Sequence, residues 1–186
     1  MHKQEDSPWK TLSKKEIYDN PWIHVEEHQV TNPAGNPGIY GIVSFKNYAV
    51  GVLPLDEDYN TYLVGQYRYT LEQYSWEIPE GGGPKNEAPI ESAKRELKEE
   101  TGLVAEKWQP LLRMHMSNSV TDELALVYVA KNLTQEKACP EDTEDLKIKK
   151  LPFQKVYEMA MNGQITDAIA VAAIFKVKIM IDEGKL

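Results

Sequence analysis

The chain has little sulfur chemistry available to it. Cys139 is the only cysteine in 186 residues, which excludes an internal disulfide and suits a reducing compartment. No His or Gly-x-Cys context surrounds Cys139, so a plain thiol is expected there. Positive charge is scarce as well: 21 Lys and Arg against 29 Asp and Glu give a net charge of −8. That balance argues against non-specific binding to nucleic acid or to a membrane surface, and against a messenger-decapping role. No apolar run approaches the roughly 18 residues that a membrane-spanning helix needs. The first residues contain no apolar stretch of the signal-peptide kind, so a cytoplasmic location is expected. Internal repeats and low-complexity segments are also missing.

What is present describes an ordinary globular chain, 41% apolar and 27% charged, long enough for one domain with a full core. Residues 1–18 are mostly polar and read as a loose arm, with Trp9 as a possible pin. Residues 19–186 read as a single domain. It opens with a β-hairpin over about 20–46, whose strands are 22–30 and 39–45 and whose turn is the Asn-Pro-Ala-Gly-Asn-Pro-Gly cluster at 32–38. The apolar run 48–55 suits a central strand. Strands follow at 61–69 and, briefly, at 75–79, running into three glycines. A helix begins near Pro89, a residue tolerated in a first helical turn, and ends at Gly102, placed to take the left-handed cap. Strands are expected at 107–116 and 123–131, joined by a polar loop. A longer acidic loop spans 133–145, followed by a strand at 146–151. Pro152 opens a helix that stops at Asn162 and Gly163. Thr166 or Asp167 caps the last helix, whose Ile169, Ala172, Ala173, Val177 and Met180 fall at helical spacing. Strands, helix, strands and two helices make an α+β fold, not a βαβ repeat.

The helix after the glycines carries the chemistry. At about 100° per residue, Glu96, Glu99 and Glu100 fall within an arc of roughly 100°. Ile90, Ala93 and Leu97 form a neighbouring stripe that can face a core, and Arg95 can pair with Glu91 or Glu99 four residues away. A charge run by itself describes an exposed helix face. Three crowded carboxylates on a rigid element also describe a set of hard oxygen ligands for Mg²⁺ or Mn²⁺.

The spacing decides between them. Gly81, Glu87, Arg95-Glu96-Leu97, Glu99-Glu100 and Gly102-Leu103 resemble, at every specified position, the Nudix box G-x5-E-x7-R-E-U-x-E-E-x-G-U, where U is a bulky aliphatic residue. The resemblance implies an α/β/α sandwich with a mixed sheet and metal-assisted hydrolysis of a nucleoside diphosphate linked to another group. It implies Glu96 and Glu100 as metal ligands, Glu99 as a ligand or catalytic support, and the carbonyl of Glu80 as a further ligand. Arg95 is expected to orient a glutamate, and Glu87 to hold the loop against the helix.

The flanks narrow the substrate. Gln66-Tyr67-Arg68-Tyr69 and Ser75-Trp76-Glu77-Ile78-Pro79-Glu80-Gly81 look like the Q-Y-R and W-E-[LI]-P-[AE]-G patterns of ADP-ribose and nucleoside-diphosphate-sugar pyrophosphatases. By that likeness Arg68 meets the diphosphate, a contact suited to a guanidinium fork, and Trp22 or Tyr40 stacks on the base. The catalytic base falls on the acidic loop at 140–145, with Asp142 in register and Glu144 and Glu141 as rivals. The related enzymes carry S-P-G-x-[ST]-x-E where this chain has Ser117-Asn118-Ser119-Val120-Thr121-Asp122-Glu123. The missing proline and glycine weaken strict ADP-ribose specificity, while Glu123 stays in register as a substrate or metal contact. Hydrolysis of dinucleoside polyphosphates or nucleoside triphosphates is the second enzymatic expectation. A non-catalytic nucleotide-sensing domain is the third reading, disfavoured because every box carboxylate is kept. Relatives of this kind are commonly homodimers through their N-terminal strands, which makes a homodimer the expected assembly.

Overall fold

The computed structural model describes residues 6–137 and 146–186. Contacts divide the chain into two compact units, a finer division than the arm and single domain expected from the sequence.

The first unit comprises Met1–Lys46 and Ser117–Glu123. Its sheet is antiparallel, in the order β1 (Lys10–Asp19), β2 (Ile23–Thr31), β3 (Pro37–Phe45). The hairpin between β2 and β3 sits where the turn cluster placed it. Asn32 Oδ1 accepts from Asn36 N at 3.0 Å, and Gly35 takes a φ of +86°. The loose arm was a misreading, because Lys10–Asp19 is a strand. All ten of its residues are exposed, so no alternation of apolar and polar residues marks it. Pairing with β2 alone makes it a strand. Residues 117–123 lie along β3. Val43 bridges Thr121, Phe45 N donates to Asp122 Oδ1 at 2.8 Å, and the Tyr40 hydroxyl donates to Ser119 O at 2.7 Å.

The second unit comprises Asn47–Met116 and Leu124–Leu186. One sheet runs β7 (Glu80–Pro84), β4 (Asn47–Pro54), β9 (Leu124–Gln135), β8 (Leu103–His115). It is mixed, because β4 and β9 are parallel and the other neighbours antiparallel. The second sheet is antiparallel, in the order β10 (Lys147–Pro152), β5 (Asn60–Arg68), β6 (Gln73–Glu77). A 3-10 turn at Tyr69–Leu71 links β5 to β6. Three helices complete the unit: α1 (Pro89–Thr101), α2 (Phe153–Met161) and α3 (Ala168–Asp182).

Strand β4 is buried on both faces, as its unbroken apolar run requires. Val50 and Val52 face Ala93 and Leu97 of α1. Leu53 and Leu55 join Leu63, Ile78, Val127, Phe153, Ile169 and Ile174 in the larger core under α2 and α3. Helices therefore cover both faces of the mixed sheet in this unit, the α+β sandwich expected from the sequence. A Cβ on Gly51 would fall 2.8 Å from Ile169 Cγ2, so the glycine lets α3 approach β4. Pro89 occupies the first turn of α1, and Gly102, at φ +71°, closes it by donating its N–H to Lys98 O at 2.8 Å. Asp167 Oδ2 accepts from Ala170 N at 2.7 Å and caps α3.

Several boundaries differ from the sequence reading. β8 begins at Leu103, immediately after the helix cap, and β9 continues to Gln135, inside the segment read as a loop. The short strand ends at Glu77 and not at 79. The three glycines fall within a strand of their own, β7.

Candidate active site

The site grows from the meeting of β7 and α1. Glycine disfavours a strand unless something must approach the backbone closely, and here two side chains do. A Cβ on Gly81 would fall 2.4 Å from the carboxyl carbon of Glu96, and one on Gly83 would fall 2.8 Å from Ser92 Oγ. Pairing of Ala49 to Gly82 and Val50 to Gly81 fixes this strand on β4. The glycines thus let the carboxylates of α1 lie against a strand backbone.

Glu96 and Glu100 are buried, at 8% and 1% exposure, despite their charge. Glu80 N donates to Glu100 Oε2 at 3.0 Å. Arg95 Nη1 lies 2.9 Å from both Glu96 Oε1 and Glu99 Oε2, and its Nη2 donates to Gly82 O at 3.0 Å. One guanidinium therefore ties two box glutamates to β7. Glu87 Oε2 accepts from Ser92 Oγ at 2.7 Å, and Glu87 N donates to Pro84 O at 3.0 Å, so Glu87 joins the loop to the helix.

A second arginine lies on β5. Arg68 Nε donates to Glu77 Oε1 at 2.9 Å and its Nη2 donates to Glu77 Oε2. The same Nη2 reaches Glu80 Oε1 at 3.3 Å. Glu77 is 2% exposed. Burial, with the charges of Asp167 and Glu77 behind it, pushes the Glu80 carboxyl well above its usual range, and the nearby Arg68 only partly opposes this. Burial also raises Asp167, against the lowering effect of its bond from Ala170 N. Arg68, expected from its flanking motif to meet the diphosphate, is held by acids along two of its nitrogens.

Of the other residues singled out in the sequence, Trp22, Tyr40 and Glu123 belong to the first unit. Trp22 is 67% exposed at the turn into β2, where its N–H donates to Asn20 Oδ1 at 2.9 Å. The Tyr40 ring meets Trp9 edge-on at 5.4 Å. Glu123 N donates to Thr121 Oγ1 at 3.4 Å. Asp142, Glu144, Glu141 and Cys139 lie outside the described residues.

Two acids were not assigned to the site from sequence. Glu77 stood inside the quoted W-E-I-P flank but carried no role, and Asp167 was read only as a helix cap. Arg68 pairs with Gln73 and Glu77 with Val64, on the same face but four residues apart, so cross-strand pairing alone would not have joined them. Asp167 lies 87 positions beyond Glu80 in the chain and carries no local signal either.

The donor set suits a hard divalent cation in kind: carboxylate oxygens, desolvated, on rigid elements. Among the described residues Glu80 Oε2 is buried without a hydrogen-bond partner of ordinary geometry, its carboxyl interacts with that of Asp167, and either a retained proton or a cation would relieve this crowding of acids. Among the described residues, no three acidic, His or Cys side chains are already arranged around one point. Arg95 holds Glu96 and Glu99 by their oxygens instead.

Comparison with known proteins agrees with this geometry. A family model described as the NUDIX domain matches residues 46–170, and one described as the nucleoside diphosphate sugar hydrolase N-terminal domain matches residues 9–43. The chain is 30% identical over 173 residues to an ADP-ribose pyrophosphatase of Mycobacterium tuberculosis, covering 91% of this chain and 83% of that protein. It is 29% identical over 167 residues to an ADP-ribose pyrophosphatase of Bacillus subtilis, covering 89% and 90%. A crystal structure of an ADP compounds hydrolase superposes with a TM-score of 0.86 at 22% identity, over 99% of this chain and 100% of the other. That likeness speaks to the fold.

Proposed function

The chain belongs to the Nudix hydrolase family, and on that premise we propose that it hydrolyses the pyrophosphate of ADP-ribose or of a nucleoside-diphosphate sugar with Mg²⁺ or Mn²⁺. The products are a nucleoside monophosphate and a sugar phosphate. The observation that carries this reading is the set of carboxylates on α1, two of them buried, pressed against a glycine strand and held by Arg95.

Glu96, Glu99, Glu100 and Glu80 would hold the cation. A divalent ion held there would supply positive charge to the phosphoryl oxygens and would make the attacking water easier to deprotonate. Arg95 keeps Glu96 and Glu99 at a fixed spacing, and the Glu80 N–H keeps Glu100 turned toward β7. Arg68 steadies Glu80 from the other side and leaves Nη1 as its remaining edge toward a diphosphate oxygen. Asp142 is the base in this reading, with Glu144 and Glu141 as rivals, taking the proton from the attacking water. Trp22 or Tyr40 stacks on the base of the nucleoside, and Glu123 contacts the substrate or the metal. The protein acts in the cytoplasm as a homodimer paired through its N-terminal strands, on a small molecule and not on nucleic acid.

Nucleoside-diphosphate sugars stand beside ADP-ribose for two reasons. The segment 117–123 lacks the proline and glycine of the ADP-ribose pattern. The model matching residues 9–43 is also named for nucleoside diphosphate sugar hydrolases.

A substrate panel tests the reading: ADP-ribose, GDP-mannose, ADP-glucose, UDP-glucose, NADH and diadenosine polyphosphates, each with Mg²⁺ and with Mn²⁺. Turnover of a sugar-linked diphosphate, abolished by chelation, is expected. If none of these diphosphates is hydrolysed, the assignment is wrong.

A further inference from the structure

The sheet β10-β5-β6 has two faces. Register places Val64 opposite Glu77 and Gln66 opposite Ser75, on the face that carries Arg68. Gly65 pairs with both Trp76 and Lys147, Tyr67 with Tyr74, and Leu63 with Lys149, on the other face. There the rings of Tyr74 and Trp76 meet edge to face at 5.5 Å. They lie down over Gly65, where a Cβ would fall 2.6 Å from the Tyr74 hydroxyl and 2.7 Å from the Trp76 ring. The glycine is what lets two large rings cover the strand.

Two ammonium groups stand over these rings. Lys149 Nζ is 3.8 Å from the centre of Trp76, and Lys147 Nζ is 5.4 Å from that of Tyr74. Among the described residues neither lysine pairs with a carboxylate. Their neighbour Lys150, on the Arg68 face, is neutralised by Asp56 at 2.7 Å. Tyr74, Trp76, Lys147, Ile148 and Lys149 together line an open trough of about 630 Å³. In a chain of net charge −8, two cations with no carboxylate partner among the described residues, beside two aromatic rings, form a local exception.

We propose that this trough binds a nucleoside monophosphate at a site separate from the hydrolytic one. The base stacks on the exposed Tyr74 ring, with the Trp76 ring set at 63° beside it, and the phosphate meets the Lys147 and Lys149 ammonium groups. Both parts are needed. Stacking supplies affinity without regard to base identity. The lysines supply charge-assisted bonds to phosphate oxygens. A small anion alone would forgo the rings, and an apolar ligand would make no use of the ammonium groups.

The test uses the full chain in EDTA with AMP as the probe, followed through the ¹⁵N indole signal of Trp76, assigned by its loss in Trp76→Phe. AMP is expected to shift this signal saturably. Lys147→Glu with Lys149→Glu, both on exposed positions, is expected to weaken that binding at least about tenfold. Melting temperature and turnover of the best substrate of the panel are expected to stay unchanged in that variant. Ribose 5-phosphate, which lacks the base, is expected to bind at least about tenfold more weakly than AMP. An indole signal indifferent to AMP, a double variant with wild-type affinity, or equal binding of AMP and ribose 5-phosphate would each overturn the proposal. None of these readings depends on whether the chain cleaves ADP-ribose.

Discussion

Two arginines of the second unit each hold two carboxylates, and they do so in different settings. Arg95 lies on α1, its side chain 37% exposed, beside the side chains of Glu96 at 11% and Glu99 at 32%. Arg68 lies on β5, its side chain 36% exposed, against the side chains of Glu77 at 3% and Glu80 at 10%. The cations are equally wet, and Glu96 is about as dry as Glu80; the difference lies in the second acid, Glu99 at 32% against Glu77 at 3%. A buried carboxylate that loses its cation is costly, whereas a half-exposed one is stabilised by water. Arg68 therefore serves chiefly to make a buried acidic cluster tolerable. Arg95 serves chiefly to set the spacing of its glutamates.

The sharpest break of this comparison is Arg68→Ala. It leaves Glu77 and Glu80 buried without their cation, and denaturant unfolding is expected to show a loss of about 3 kcal/mol. Arg95→Ala leaves one buried glutamate, Glu96, without its cation while Glu99 stays solvated, and is expected to cost less than Arg68→Ala in the same measurement. Its turnover at saturating metal should nonetheless fall about 10- to 100-fold, because outer partners orient ligands. If the two variants lose equal stability, the division of labour fails.

A smaller effect is carried by pH. The Glu80 carboxyl is raised in the folded chain. A raised carboxyl contributes stability that is fully present below the unfolded value, about 4.3, and lost as pH rises through the folded value. In EDTA, the melting temperature of the wild type is therefore expected to fall as pH is raised from that value toward neutrality. Glu80→Gln should flatten that slope. An equal slope in the variant would place the effect elsewhere.

Much of this organisation was legible in the sequence, and what was missed has physical causes. The α1 boundaries followed from Pro89 and Gly102, because both residues act through their own backbone. The burial of β4 followed from an unbroken apolar run. Strand β1 was illegible because nothing in Lys10–Asp19 is buried, and strand patterns register burial. Strand β7 was illegible because its glycines answer to Glu96 and Ser92, contacts that appear only once α1 is in place. Arg68 and Glu80 were read separately, as a substrate fork and a metal carbonyl. Their side chains in fact share one cluster with Glu77 and Asp167, assembled from β5, β6, β7 and the cap of α3.

The most direct measurement of the central claim is a titration with Mn²⁺ followed by electron paramagnetic resonance, on the wild type and on Glu96→Gln and Glu100→Gln. Saturable binding by the wild type is predicted, weakened at least about tenfold in both variants, with unchanged circular dichroism. Wild-type affinity in both variants would contradict the assignment of the α1 carboxylates as the metal site.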